Sequence, residues 1–174
     1  DGVDFVIHLA GVNRPQDPAE FATGNTDLTQ ALATAVADVA LRTGKKVPVL
    51  YTSSTQAARD NPYGQSKRAA EDALFTLQRA HGVPVHVFRL PNVFGKWCKP
   101  NYNSVVATFF FFYAHDLPVQ IHDASGRVRL VYVDDVINAM LGQLASGWAG
   151  VVRPVIEPEY SITLGELSDQ IDAF

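Results

Sequence analysis

Three short stretches constrain this chain more than any other feature. Val3 to Leu9 (VDFVIHL), Val47 to Ser53 (VPVLYTS) and Val83 to Leu90 (VPVHVFRL) are almost continuously apolar. A strand with one wet face alternates between apolar and polar residues. A strand covered on both faces does not, and that is the habit of parallel sheets under helices. Helical spacing fills the intervals. Leu28, Leu32, Ala35, Val36, Val39 and Ala40 recur from Asp27 to Arg42, with Gly44 as a stop. A second helix is expected from Pro62 to about Ala80, closed by Gly82. Strand, helix, strand, helix, strand predicts a doubly wound α/β sheet. Its crossovers are right-handed, and its ligands sit at the carboxyl ends of the strands.

Further along, Pro91 to Asn103 reads as an irregular loop and Ser104 to His115 as a helix. Phe109 to Phe112 are expected in the core. Arg127 to Val133 reads as a strand, followed by a helix capped by Asp134 and closed by Gly147. Val151 to Ile156 is expected as a last strand, and Thr163-Leu-Gly-Glu166 has the spacing of a capping box. With 174 residues, a single domain is expected. Hydrophobic residues at 47% supply a core, and a net charge of −4 offers no basic face for nucleic acid or an anionic membrane. The greasy run Val105 to Tyr113 is too short for a membrane span. The single cysteine, Cys98, fits a cytoplasmic setting and is expected to be inert. Five scattered histidines without ligand spacing predict no metal site.

Chemistry concentrates in Tyr63-Gly-Gln-Ser-Lys67, just after Ser53-Ser54-Thr55 at a strand end. Residues four apart on a helix share a face. A phenol titrating near ~10 is a poor acid at neutral pH, and a neighbouring ammonium lowers that barrier. A hydroxyl at the strand end would polarise a carbonyl beside the tyrosine. By itself the Tyr/Lys spacing also fits an exposed helix start. The strand-end hydroxyl tips the reading toward catalysis by Ser54, Tyr63 and Lys67.

These residues resemble those of the extended short-chain dehydrogenase/reductase family, also called the NAD-dependent epimerase/dehydratase family. His8-Leu-Ala-Gly11 resembles its "HLAA" strand end, and Asn25 the asparagine that opens its next long helix. Arg89-Leu-Pro-Asn92-Val-Phe-Gly95 resembles its "R-x-x-N-x-x-G", and Tyr132-Val-Asp-Asp135 its "Y-V-D-D". The resemblance implies a Rossmann-like sheet, truncated at its amino-terminal strands, with a small carboxyl-terminal substrate-binding portion. It implies cofactor contacts from Leu9, Ala10, Gly11, Ser53, Tyr63, Lys67 and Pro91. Substrate contacts are implied for Asn92, Asn101 and Asn103. His8 is expected to pack near the cofactor rather than act as a base.

The long stretch Phe94 to Phe109 (FGKWCKPNYNSVVATF) and Asp60 to Lys67 resemble a narrower group. This is the capsular-polysaccharide nucleotide-sugar reductases of the N-acetyl-L-fucosamine pathway. That resemblance implies NADPH, with NAD as the alternative, a UDP-linked 4-keto sugar as substrate, and a homodimer. Three departures accompany it. The glycine-rich loop is absent from the sequence, as expected for a chain starting near the family's fourth strand. Val128 stands where a phosphate-binding arginine is usual. No cupin segment follows Phe174. Trp97 and Tyr102 are balanced between stacking on a ligand and anchoring the loop. The alternatives to a reductase are an epimerase or dehydratase on the same scaffold, and a silent nucleotide-sensing protein. Thr55-Gln56 cannot titrate where a dehydratase carries Asp-Glu, and the intact Ser/Tyr/Lys set argues against a silent protein.

Overall fold

A computed structural model describes residues 2–174. It contains two compact units. The first comprises the residues up to Leu90 together with Met140–Val155, and the second comprises Pro91–Ala139 and Ile156–Phe174.

The first unit holds a parallel sheet of β1 (Val6–His8), β2 (Val49–Ser54), β3 (Val85–Leu90) and β6 (Val151–Val152), in that order. The sequence rhythm thus becomes the expected α/β sheet. Its connections are α1 (Leu28–Thr43) and α2 (Pro62–His81). Val49 and Tyr51 of β2 and Val85 and Val87 of β3 share one face, as the period of two requires. Ala33 and Val36 of α1 and Ala70, Leu74 and Leu77 of α2 pack on them. The intervening residues Leu50, His86 and Phe88 are also buried. His86 lies 4.5 Å from the Trp148 ring on that other face. A buried side chain of this size contributes about 1.5–3 kcal/mol, so this double-sided burial holds the sheet.

Helix ends follow the local chemistry. Asn61 Oδ1 accepts from the Gly64 N–H at 2.8 Å, and Pro62 opens α2 where no amide is needed. Gly44 and Gly82 end α1 and α2 with φ of 72° and 65°, a left-handed turn that costs glycine little. One feature has no signature in the sequence. Residues Ala22–Asp27, directly before α1, form a π-helical turn. The ladder here carries an extra residue per turn, as is common near functional sites.

The second unit is a three-stranded sheet of β4 (Asn92–Phe94), β5 (Arg127–Tyr132) and β7 (Tyr160–Thr163), with α3 (Val105–Ala114) and α5 (Leu164–Asp172). β4 and β5 are parallel, and β5 and β7 antiparallel. Val106, Phe109, Leu130, Leu167 and Ile171 form its core. The capping box is present: Thr163 Oγ1 accepts from the Glu166 N–H, and Glu166 accepts from the Thr163 N–H. α4 (Val133–Ala145) carries the chain back to the first unit.

Several expectations are corrected here. The loop after Pro91 contains β4. The strand expected over Val151–Ile156 stops at Val152, because Pro154 lies two residues on and brings no amide to a ladder. α4 begins at Val133, so Asp134 sits in the first turn rather than at the cap, paired with Lys96 at 2.7 Å. Of the four phenylalanines, only Phe109 is buried, and Phe110 is 46% exposed. At 100° per residue, four consecutive side chains spread around all sides of a surface helix. Among the described residues, no helix is long and apolar enough to cross a membrane.

Candidate functional site

The site in the first unit is built where β1 and β2 end and α2 begins. Ser54 is the last residue of β2 and caps a short 3-10 turn, Thr55–Ala58, its Oγ accepting from the Gln56 N–H at 3.1 Å. The chain then reaches Asn61 and enters α2, placing Tyr63 in the first turn and Lys67 one turn on. Tyr63 is half-buried, its ring 5.7 Å from Phe21. Burial pushes its phenol above the usual value, and the neighbouring Ser54 hydroxyl pulls it back. Lys67 is buried. Its Nζ donates to the Thr52 carbonyl at 2.8 Å and lies 4.6 Å from the centre of the Tyr51 ring. Burial lowers it from the ordinary 10.5 to about 8, with Glu71 opposing that fall. Tyr51 is the tyrosine whose ring lies against this ammonium, but it is fully buried and burial pushes its phenol far up. Of the two, only Tyr63 reaches solvent.

The β1 exit faces the same ammonium. Leu9, Ala10 and Gly11 are exposed. A Cβ added at Gly11 would lie 2.7 Å from Asn25 Oδ1 and 3.5 Å from Lys67 Nζ, so the backbone here runs close past both side chains. Asn25, inside the π turn, fixes that exit. Its Nδ2 donates to the Val12 carbonyl at 2.8 Å and to Ser66 Oγ at 3.0 Å, and its Oδ1 accepts from the Val12 N–H at 2.9 Å. One buried side chain thereby ties the β1 exit to α2. His8 shares a 2.9 Å hydrogen bond with Thr29 Oγ1 and stacks on Tyr51 at 5.1 Å. Burial, with the charge of Lys67, lowers its pKa, so it is a neutral packing residue at pH 7.

Gly64 sets the spacing between the turn and α2. A Cβ there would sit 2.2 Å from the Gln56 carbonyl oxygen and 2.8 Å from that of Arg59, both backbone atoms. Gly64→Ala is expected to destabilise the protein by about 1–3 kcal/mol through overpacking. It also pushes Tyr63 away from Ser54. Urea unfolding checks this, and an unchanged midpoint would mean that the turn yields freely.

Structure therefore brings Ser54, Tyr63, Lys67 and the Leu9–Gly11 segment into one place. Ser53 belongs to a different arrangement: its hydroxyl donates to Glu71 at 2.5 Å, inside the fold. Glu71 escaped the sequence reading, since a lone helical glutamate looks solvated. Tyr51 escaped it too, as one more apolar strand residue. Pro91, Asn92, Asn101 and Asn103 lie in the second unit. There, Asn92 Nδ2 donates to the Arg129 carbonyl at 3.1 Å. Asn101 takes φ 55° and donates its N–H to Thr108 Oγ1, and Asn103 is exposed. Trp97 is 98% exposed and Tyr102 is 43% exposed, so neither anchors its loop in a core. Val128 pairs with Ile162, while Arg129 forms an ion pair with Glu159.

Comparison with known proteins gives a consistent picture. Over 172 residues the chain is 50% identical to the UDP-2-acetamido-2,6-beta-L-arabino-hexul-4-ose reductase of Pseudomonas aeruginosa, covering 99% of this chain and 45% of that protein. The chain thus spans about half the length of this relative. The capsular polysaccharide assembling protein CapF from Staphylococcus aureus superposes with a TM-score of 0.76 at 35% identity, over 98% of this chain and 44% of that one. A UDP-glucuronic acid 4-epimerase from Bacillus cereus, solved with UDP-glucuronic acid and NAD, reaches a TM-score of 0.84 at 19% identity, over 98% of this chain and 59% of that one, which shows a shared fold. The sequence profile of the NAD dependent epimerase/dehydratase family matches residues 1–153. The chain belongs to that family.

Proposed function

We propose that this chain carries the proton-transfer site of an NAD(P)-dependent nucleotide-sugar reductase. Its substrate is a UDP-linked 4-keto-6-deoxy-N-acetylhexosamine, used in the synthesis of a surface or capsular polysaccharide. The observation that carries the reading is the meeting of Ser54, Tyr63 and Lys67 beside the bare backbone of Gly11. The 50% identity to the Pseudomonas aeruginosa reductase favours reduction over epimerisation. Thr55 and Gln56 supply no acid or base for dehydration.

A nicotinamide cofactor fits the residues present. The exposed backbone of Leu9, Ala10 and Gly11 runs directly past Lys67 Nζ. When bound, the reduced nicotinamide supplies the hydride. Leu9, Ala10 and Gly11 would line it, and Lys67 and Tyr63 would hold its ribose. Ser53 would contribute through its backbone, because its hydroxyl proton is held by Glu71. Pro91 is assigned to the cofactor, and Asn92, Asn101 and Asn103 to the sugar. The Ser54 hydroxyl holds the carbonyl oxygen of the substrate. Tyr63 donates its proton to that oxygen, and the Lys67 ammonium stabilises the phenolate left behind. NADPH is the proposed cofactor, and a homodimer the proposed assembly, of the protein in its full reading frame.

The test is NADPH oxidation by that full-length protein with the UDP-linked 4-keto sugar. Saturable turnover is expected. A folded protein that oxidised neither NADPH nor NADH with this substrate would remove the reading.

A further inference from the structure

Behind the proposed site lies an ionic cluster, its carboxylate buried and its guanidinium partly exposed, that the proton transfer does not itself use. Glu71 sits on α2 one turn beyond Lys67 and is 1% exposed. Its carboxylate accepts from the Ser53 hydroxyl at 2.5 Å, and from Arg89 Nε at 2.9 Å and Nη2 at 2.6 Å. Ser53 and Arg89 are register partners on β2 and β3. The residue before Ser53 is Thr52, whose carbonyl receives Lys67 Nζ. Consecutive residues of β2 therefore grip residues four apart on α2, and Arg89 closes the grip from β3. A carboxylate held by a hydroxyl and a two-pronged guanidinium cannot swing away, so its charge stays fixed on the lysine's side of the helix.

We propose that Glu71 is a positioning residue of this site: it locks α2 to the ends of β2 and β3, and its fixed carboxylate keeps the buried Lys67 in its ammonium form. This rests on the reading of Lys67 as part of the catalytic site. A lysine enclosed as Lys67 is loses its proton readily unless an anion answers it. The groups facing it are few. β1 presents His8, which is neutral, and β2 presents the Tyr51 ring and the Thr52 carbonyl. The π turn presents the uncharged Asn25. α2 presents Tyr63 and Glu71, and β3 presents Arg89, which reaches Lys67 only through Glu71 and partly offsets it. Glu71 is the one anion in that set, and it is the group that opposes the lowering of Lys67 by burial.

The experiment follows the Lys67 side chain by lysine-selective NMR across a pH series in the full-length protein, with Lys67→Met assigning the signal. The alkaline limb of kcat/KM for NADPH oxidation is measured in parallel. Wild type is expected to titrate at about 8. Glu71→Gln keeps the shape and removes the charge, and should move both midpoints down by about one pH unit or more. Glu71→Asp keeps the charge and shortens the reach, and should stay within roughly half a pH unit of wild type. A purely structural role predicts the opposite order, with the better-fitting glutamine closer to wild type. An unmoved Lys67 midpoint in Glu71→Gln overturns the proposal, as does a fall of a full unit in Glu71→Asp. If Glu71→Gln does not fold, Glu71→Asp decides alone on the same thresholds. Failure of the catalytic reading shows elsewhere: a Tyr63→Phe enzyme with full turnover removes that reading, while the Lys67 titration still reports on Glu71.

Discussion

Tyr63→Phe is expected to lower kcat by ~10²–10⁴ while KM for the UDP-linked sugar stays close to wild type. The phenol is half-buried beside Ser54, so the phenylalanine ring occupies the same space and only the proton donor is lost. The nearest substitute donor is the Ser54 hydroxyl, which already accepts from the Gln56 N–H and would form an alkoxide far costlier than a phenolate. Tyr51 offers no rescue, because it is fully buried and burial holds its phenol protonated. Steady-state NADPH oxidation measures the effect. Wild-type kcat in the variant would mean that another group supplies the proton, and the assignment of the site would have to be given up.

Lys67→Met should separate activity from stability. Turnover and cofactor affinity are both expected to fall, because the proposed role of the ammonium is to serve the phenolate and the cofactor ribose together. Stability is expected to move the other way. Burial lowers Lys67 from 10.5 to about 8. At about 1.4 kcal/mol per pH unit, the buried ammonium costs on the order of 3 kcal/mol near neutrality. The sign follows from the depressed value: the unfolded chain holds this proton more tightly, so the cost is full below pH 8 and fades as pH rises toward 10.5. Methionine removes that cost and keeps an unbranched apolar stem. It also loses the hydrogen bond to the Thr52 carbonyl, worth about 1 kcal/mol. A net gain of roughly 1–2 kcal/mol, a few degrees in Tm, is expected at pH 7 and should vanish near pH 10. Thermal unfolding at both pH values tests this. A variant less stable than wild type at pH 7 would show that the Tyr51 ring and Glu71 already compensate the buried charge.

Much of this was legible because burial leaves a mark on sequence. The runs at Val47 and Val83 read as strands since both their faces are covered, and Leu50, Phe88 and His86 show why alternation is lost, whereas the run at Val3 leaves Phe5, Ile7 and Leu9 exposed and forms only the short strand β1. The placement of Ser54, Tyr63 and Lys67 near one another was legible because a strand end and the first turns of the following helix bring such positions together. The short strands β4 and β7 were not, since three or four residues carry no period and Pro91 and Pro158 stand just before them. Glu71 was hidden for another reason. Its burial depends on Ser53 and Arg89, which lie 18 positions away on either side, and no local pattern records such a meeting. Phe110 shows the converse error, a greasy residue carried to the surface by the rotation of its helix.

The π turn at Ala22–Asp27 bears on how this segment tolerates changes in length. Much of it is exposed, and composition alone would mark it as a place where residues come and go freely. Yet the extra residue in the turn sets the rotation between Asn25 and the face of α1 that carries Ala33 and Val36 inward. Deleting one residue here would restore the ordinary helical ladder. It would also swing everything before the cut by about 100° around the helix axis. Either Asn25 would leave Val12 and Ser66, or α1 would present the wrong side to the sheet. Most exposed positions in the turn accept a new side chain, but their number is fixed, so insertions and deletions are excluded where substitutions are not.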